Sequence, residues 1–225
     1  MTLHILDVEQ GTPPWHDARR GIVTASTVGK LLTPTLKVAS NDVSRGITAT
    51  LVAERITGHT EETGMSPDMW RGVESEPIAR DLYSGHYQQA VEVGFMRRDE
   101  DDWTLGYSPD GLVADDGLIE IKSPRQKTHL NTILANEVPT HYMPQLQAGL
   151  LVSGRKWIDF VSYCGGLPLW VKRVTPDPAW FDAITAACQQ FEKAAAEMGA
   201  AYTQAIVGLP TTERVDFNRV ELKLA

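Results

Sequence analysis

Cysteine is scarce: Cys164 and Cys188 are the only two in 225 residues. They lie far apart and form no CxxC pair, which excludes zinc ribbons and iron–sulfur clusters. Two free buried thiols in a reducing cytoplasm are the expectation. Long hydrophobic runs are missing too. No stretch approaches the roughly 18 apolar residues that span a membrane. The opening "MTLHILDVEQGTPPW" has no basic segment followed by a long apolar one, so no secretory signal is expected. His16, His86 and His141 have no zinc-ligand spacing and read as surface or loop residues. Positive charge is the last shortage: 21 Lys and Arg face 29 Asp and Glu, a formal net charge of −8. Taken alone, this argues against a partner made of phosphates. It does not exclude one. A local basic lining coexists with an acidic exterior, and a metal-dependent nuclease needs carboxylates for its ions. The basic residues do gather, at Arg19, Arg20 and Lys30 and again at Lys122, Arg125 and Lys127.

What is present reads as one domain, residues 1–225, with no repeat and no low-complexity segment. "DVEQGTPPWHDARRGIVTAST" reads as loop-rich, and "TASTVGKLL" as a short helix capped by Thr24 or Ser26. Val43, Ile47 and Leu51 recur at helical spacing up to a stop at Gly58. A further helix is predicted from about Gly72, with Pro77 in its first turn. A strand over "QAVEVGFMRRDE", a hairpin over "DDWTLGYSPDGLVADDGLIEIKSP", and two helices split near Pro139 follow. "KWIDFVSYC" and "PLWVKRVT" read as strands, and a long helix carries Pro178 near its start. Helices and strands in this order predict an α/β or α+β fold, of which α/β is the reading taken: a small central mixed β-sheet flanked by α-helices. Trp15 and Trp70 read as packing residues. The tail after about residue 205 is unassigned.

The hairpin carries the chemistry. In "LIEIK", alternation puts Leu118, Glu120 and Lys122 on one face and Ile119 and Ile121 on the other. The isoleucines suit a core, which leaves Glu120 and Lys122 on a solvated or functional face. Asp110 joins them only in the right register. A two-residue loop, Asp116–Gly117, turns Asp110 away. A three-residue loop, Asp115–Asp116–Gly117 with Gly117 left-handed, sets Asp110 opposite Lys122 and diagonal to Glu120. Two carboxylates and an ammonium so arranged suit metal-assisted hydrolysis of a phosphodiester. An ordinary charged hairpin is the alternative.

Asp110 followed ten residues later by Glu120-Ile121-Lys122 resembles the PD-(D/E)xK nuclease signature. The flanks narrow the resemblance. "WHDARRGIVTAS", "RGVESEPIAR", "SPDG" with "EIKSP", and "HYMPQLQAGLLVSG" stand in the order seen in the bacteriophage lambda exonuclease family, also called YqaJ-type viral recombinases, over about residues 8–200. The resemblance implies a restriction-endonuclease-like core and a Mg²⁺-dependent 5′→3′ double-strand DNA exonuclease, with Mn²⁺ able to substitute. It also implies a homotrimer around DNA ends, a single-strand annealing protein as partner in recombination, and a cytoplasmic place in a bacterial or phage-infected cell. Residue by residue it implies that Asp110, Glu120, Glu76 and the Ile121 carbonyl hold metal. Lys122 is then the catalytic lysine and Gln145 sits near the metal-bound water. Arg19, Ser26 and Tyr142 hold the 5′ phosphate or nearby backbone. Glu74 stands two residues from Glu76 as the alternative ligand, and Arg20 beside Arg19; the motif register favours Glu76.

Two other functions use the same residues. One is a restriction- or resolvase-like endonuclease on the same core. The other is a non-catalytic DNA-end-binding module, against which the intact set of Glu76, Asp110, Glu120 and Lys122 argues.

Overall fold

The computed structural model describes residues 2–61 and 64–214. Strand β1 (Thr2–Leu6) leads to helix α1 (Pro13–Arg19), β2 (Val23–Thr24) and α2 (Ala25–Val28), which runs into a 3-10 turn at Gly29–Leu31. Helices α3 (Asp42–Thr57) and α4 (Pro67–His86) follow, then β3 (Ala90–Val91), β4 (Phe95–Asp99), β5 (Thr104–Tyr107), β6 (Gly111–Val113) and β7 (Gly117–Lys122). Helix α5 (Gln126–Ala135), a 3-10 turn at Thr140–Tyr142 and α6 (Met143–Ser153) cross over to β8 (Trp157–Ser162), β9 (Trp170–Val174) and α7 (Pro178–Ala205).

The fold class is the expected α/β, but the single central sheet is two mixed sheets. One has the order β1-β4-β5-β2, the other β3-β6-β7-β8-β9. The predicted strand over 89–100 is broken between them: β3 pairs with β6, and β4 pairs with β1 and β5. Gly94 marks the break. A Cβ there would lie 2.0 Å from the Val8 carbonyl oxygen, so only glycine admits this crossing of chains.

Local chemistry explains most helix ends. Asn41 and Ser44 exchange side-chain-to-backbone bonds at the start of α3, and Gly58 closes it in the left-handed region at φ 64°. Thr24, not Ser26, caps α2. Helix α4 starts five residues before the predicted Gly72. Ser66 caps it, Pro67 opens it, and Pro77 lies in its interior. Glu76 is therefore mid-helix, one residue before a proline that has no N–H to return to the preceding turn. The loop-rich reading of residues 7–27 also gives way in part, to the Pro13-initiated α1 and to β2, and β1 precedes that segment.

Strand β7 runs parallel to β8 and antiparallel to β6. Both its faces are covered, as parallel pairing with a helical crossover favours. Leu118 joins the larger core with Leu146, Leu150 and Phe160. Ile119 and Ile121 join a smaller core with Ala79 and Tyr83 of α4 and Val161 of β8. The isoleucines are in a core, as expected. The opposite face is not solvated: Glu120 is 1% exposed. Cys188 is buried as expected and its thiol is pushed up to about 12, chiefly by burial, whereas Cys164 is only partly buried.

Neither predicted hairpin register is present. Gly111 pairs with Ile119, Leu112 with Leu118 and Val113 with Gly117. The loop is the three residues Ala114–Asp115–Asp116, and Ala114 takes the positive φ of 45° instead of Gly117. Gly117 is a strand residue, small for another reason. A Cβ would enter the Trp157 ring at 2.1 Å. Arg155 fixes the turn by donating to the carbonyls of Ala114 and Gly117, each at 2.8 Å. One step beyond the paired Gly111 and Ile119, Asp110 and Glu120 fall at opposing positions. Asp110 thus joins Glu120, by a register two residues away from the one predicted, opposite Glu120 instead of Lys122.

Candidate active site

Glu120 lies at the centre of a buried polar network. Its Oε1 accepts from Lys122 Nζ at 2.6 Å and from Gln145 Nε2 of α6. Its Oε2 accepts from the Tyr107 hydroxyl at 3.0 Å. A carboxylate can be removed from water only with such partners. Burial draws the Lys122 ammonium down, but Glu120 and Asp110 outweigh it and hold the lysine above its ordinary range, so it is a cation. Its Nζ lies 5.7 Å from the centre of the Tyr142 ring. Tyr107 was missed by the sequence reading. Burial first, then Glu120 and Asp110, keep its hydroxyl protonated and a donor. Helix α6 approaches this ring through Gly149, where a Cβ would come within 2.8 Å of it.

Asp110 is buried beside this network and accepts from the Ile121 N–H at 2.6 Å. Burial, then the charges of Glu120 and Glu76, raise its carboxyl well above the ordinary carboxylate range. Glu76 is raised too, by burial, although Arg80 opposes this. Arg80 is the second residue missed. It donates to Glu76, to Glu92 Oε2 at 2.7 Å and to the Asp110 carbonyl at 2.7 Å. One guanidinium thus joins α4 to the residue that bears the buried acid. Its place in "GVESEPIAR", one turn after Glu76, is the signal that a helical reading offers.

Glu76, Asp110, Ile121, Lys122 and Tyr142 line one cleft of about 600 Å³, together with Arg71, Ser123 and Arg125. Glu120 and Gln145 support its wall from behind. Arg19 and Ser26 are not part of that lining. The Arg19 guanidinium stacks 3.8 Å above the Trp15 ring, and burial, opposed by Glu54, lowers it to about 10. Trp15 Nε1 donates to Ser108 Oγ at 2.9 Å, and Gln10 Nε2 to the Pro109 carbonyl at 3.1 Å. The N-terminal segment is thereby pinned to the "SPD" stretch that delivers Asp110. Ser26 is exposed on α2, with its hydroxyl 3.1 Å from that of Thr24. Trp15 packs as predicted, whereas Trp70 does not: it is 59% exposed on α4.

Among the described residues, no group of three or more His, Cys, Asp and Glu side chains stands ready to hold a metal ion. Lys122 and Gln145 occupy Glu120, and Arg80 occupies Glu76. The donor chemistry nonetheless fits a hard cation. Glu76, Asp110 and Glu120 offer oxygen alone, and Asp110, raised by burial and then by Glu120 and Glu76, is an acid whose ionised form a bound cation would favour.

The model of the YqaJ-like viral recombinase domain matches residues 14–156, and the chain belongs to this family. Among solved structures it is similar to LHK-Exo, an alkaline exonuclease from Laribacter hongkongensis. The identity is 33% over 88% of this chain and 100% of that one, with a TM-score of 0.79. LHK-Exo in complex with dAMP matches at 34% identity over the same shares, TM-score 0.77. A phage-related exonuclease from Haemophilus somnus 129PT shares the fold at 14% identity, over 79% of this chain and 96% of that one, TM-score 0.55. No curated protein matches. Among the described residues no helix is long and apolar enough to cross a membrane.

Proposed function

We propose that this chain is a Mg²⁺-dependent 5′→3′ double-strand DNA exonuclease of phage-type homologous recombination, releasing 5′-mononucleotides from 5′-phosphorylated ends. The observation that carries the reading is the meeting of Glu76, Asp110 and Lys122 in one cleft, backed by buried Glu120, in a chain similar over most of its length to an alkaline exonuclease. The dAMP complex of that relative supports a mononucleotide product.

Asp110, Glu120, Glu76 and the Ile121 carbonyl would hold Mg²⁺, with Mn²⁺ as substitute. When bound, the ion supplies an activated water and offsets charge on the scissile phosphate. Lys122, held cationic by Glu120, donates to a phosphate oxygen or to the attacking water as negative charge develops. Gln145 and Tyr107 keep the Glu120 carboxylate oriented, and Gln145 would lie near the metal-bound water. Arg80 holds Glu76 and the Asp110 main chain in mutual register. Arg19 and Ser26, with Tyr142, receive the terminal 5′ phosphate or the adjoining backbone, for which a guanidinium and a hydroxyl are suited. The reading includes a homotrimer, a single-strand annealing partner and action in the cytoplasm.

The test is digestion of linear 5′-phosphorylated, linear 5′-hydroxyl and closed circular duplex with Mg²⁺, Mn²⁺ or Ca²⁺. Mononucleotide release from the phosphorylated linear duplex is expected, slower release from the hydroxyl form, and none from the circle. Efficient cutting of the circle would overturn the exonuclease assignment. Ca²⁺ is expected to permit binding without cutting.

A further inference from the structure

On the exposed rim of the cleft, one carboxylate is shared by two arginines. Asp68, in the first turn of α4, accepts from Arg71 Nη1 at 2.7 Å and from Arg125, whose Nη2 lies 3.0 Å away. The side chain of Asp68 is 53% exposed and that of Arg125 74%. Arg71 is set more firmly. Its Nε and Nη2 both donate to the Ser123 carbonyl, at 3.2 and 3.0 Å. Ser123 directly follows Lys122, so the Arg71 guanidinium is registered to the strand that carries the lysine. All three side chains line the same cleft as Asp110 and Lys122.

We propose that Arg71 and Arg125 form a clamp for a backbone phosphate of the strand lying in the cleft, occupied in the free protein by Asp68 as an internal stand-in. Two positive charges face one negative charge here, on the wall of a cleft whose other charges are largely carboxylates. A phosphodiester presents two oxygens in a fork, as a carboxylate does, and guanidinium planes match both. An exposed ion pair contributes little to stability, so displacement of Asp68 costs little. Arg71 is already oriented by Ser123, so a phosphate meets a donor edge that needs no reordering. The site is distinct from the Arg19 region and adds a contact on the strand beside the scissile bond. It also accounts for phosphate binding by a protein of net negative charge. For the identity of its ligand the proposal rests on the nuclease reading.

The experiment measures Kd for a fluorescein-labelled 5′-phosphorylated duplex by anisotropy, with Ca²⁺ in place of Mg²⁺, from low to moderate salt. Asp68→Asn frees the clamp and is expected to tighten binding several-fold at low salt. Arg125→Gln is expected to weaken it about tenfold, and to lower the slope of log Kd against log salt by about one. Arg71→Gln is expected to weaken it at least as much. If Asp68→Asn leaves binding unchanged or weakens it, or if Arg125→Gln keeps the full salt slope, the trio is a structural staple and the clamp is overturned. Mononucleotide release by the wild type with Mg²⁺, run in parallel, separates the two readings. Binding that responds as expected without any hydrolysis overturns the nuclease reading and leaves the clamp standing.

Discussion

The cleft has two halves built on different physics. One half is β7 with α6 and the end of β5: Glu120, Lys122, Gln145 and Tyr107 are packed between cores, and each bonds to Glu120 or is Glu120 itself. The other half is α4 with the segment after β7, where Asp68, Arg71 and Arg125 meet at the rim in ion pairs open to water. Asp110 and Glu76 lie between; the Ile121 N–H ties Asp110 to β7, and Arg80 ties Glu76 to the Asp110 carbonyl. Burial makes the first half rigid and intolerant of substitution. Exposure makes the second adjustable, because water replaces any partner that leaves. The proposed exonuclease would have use for both, a fixed half for the reacting phosphate and an adjustable half for the strand beside it.

The largest effect is expected at Lys122. Lys122→Ala removes the ammonium from the proposed reacting centre, and the loss of one such donor is expected to lower turnover by about 10²–10³-fold. It also leaves Glu120 buried without its counter-charge, at a cost of about 3 kcal/mol. Lys122→Gln keeps an N–H donor for Glu120, so urea unfolding is expected to show recovered stability while nucleotide release stays low. Full activity in either variant would remove Lys122 from the chemistry.

Gly149→Ala attacks the same half without touching a polar group. The added methyl meets the Tyr107 ring at 2.8 Å, so α6 or the ring must shift. Overpacking of this kind costs about 1–3 kcal/mol. Because Gln145 lies on α6 and Tyr107 bonds Glu120, turnover is expected to fall with stability. The equivalent change at Gly72, on the opposite wall with open space around its Cβ, is expected to leave the fold intact.

Legibility in the sequence followed the same division. The alternation of "LIEIK" placed the isoleucines in a core correctly, since period 2 is a property of the strand alone. It gave no sign that the Glu120 face is buried, because that depends on α6 arriving across Gly149, a contact between residues far apart in the chain. The turn was misread for a similar reason. "ADDG" offers a glycine at the position that three-residue hairpins favour, but Trp157 of β8 requires that glycine for space, and Arg155 stabilises the turn one residue earlier. Capped helices such as α3 were readable because their signals are local. Tyr107 carried no such signal, since it acts through Glu120 on another strand; Arg80 carried only its place one turn after Glu76, and its bond to the Asp110 carbonyl is a contact between distant parts of the chain. The convergence of Glu76 with Asp110 was expected only from the family resemblance, since "GVESEP" and "SPDG" belong to different elements of the fold.

A smaller effect, with a definite sign, is expected from the acids between the halves. In the folded chain Asp110 holds its proton to higher pH than an ordinary carboxyl, because of burial and then of Glu120 and Glu76, against the pull of Lys122 and the Ile121 N–H. The unfolded chain releases that proton near pH 4. The folded state therefore binds more protons between the unfolded and folded pKa values, and stability falls as pH rises through that window. Without metal, the wild type is expected to lose Tm relative to Asp110→Asn as pH rises above about 4. Mg²⁺ is expected to restore it most where the carboxyl is ionised. A Tm difference between the two proteins that does not change with pH, or grows in favour of the wild type, would show that the buried acid is already compensated by protein groups.

The least effect on stability is expected at the rim, and it makes the contrast sharpest. Glu120→Ala leaves Lys122, Gln145 and Tyr107 facing a cavity where their common acceptor stood, and the buried donors have no water to replace it. Asp68→Asn removes a charge from side chains already in water, and both arginines keep solvent or Ser123 as partner. Thermal melts of the two variants are expected to differ accordingly, with a large loss of Tm for Glu120→Ala and none measurable for Asp68→Asn. A loss of Tm in Asp68→Asn comparable to that in Glu120→Ala would mean that the rim is as fixed as the buried half. The rim could not then exchange its own carboxylate for a phosphate.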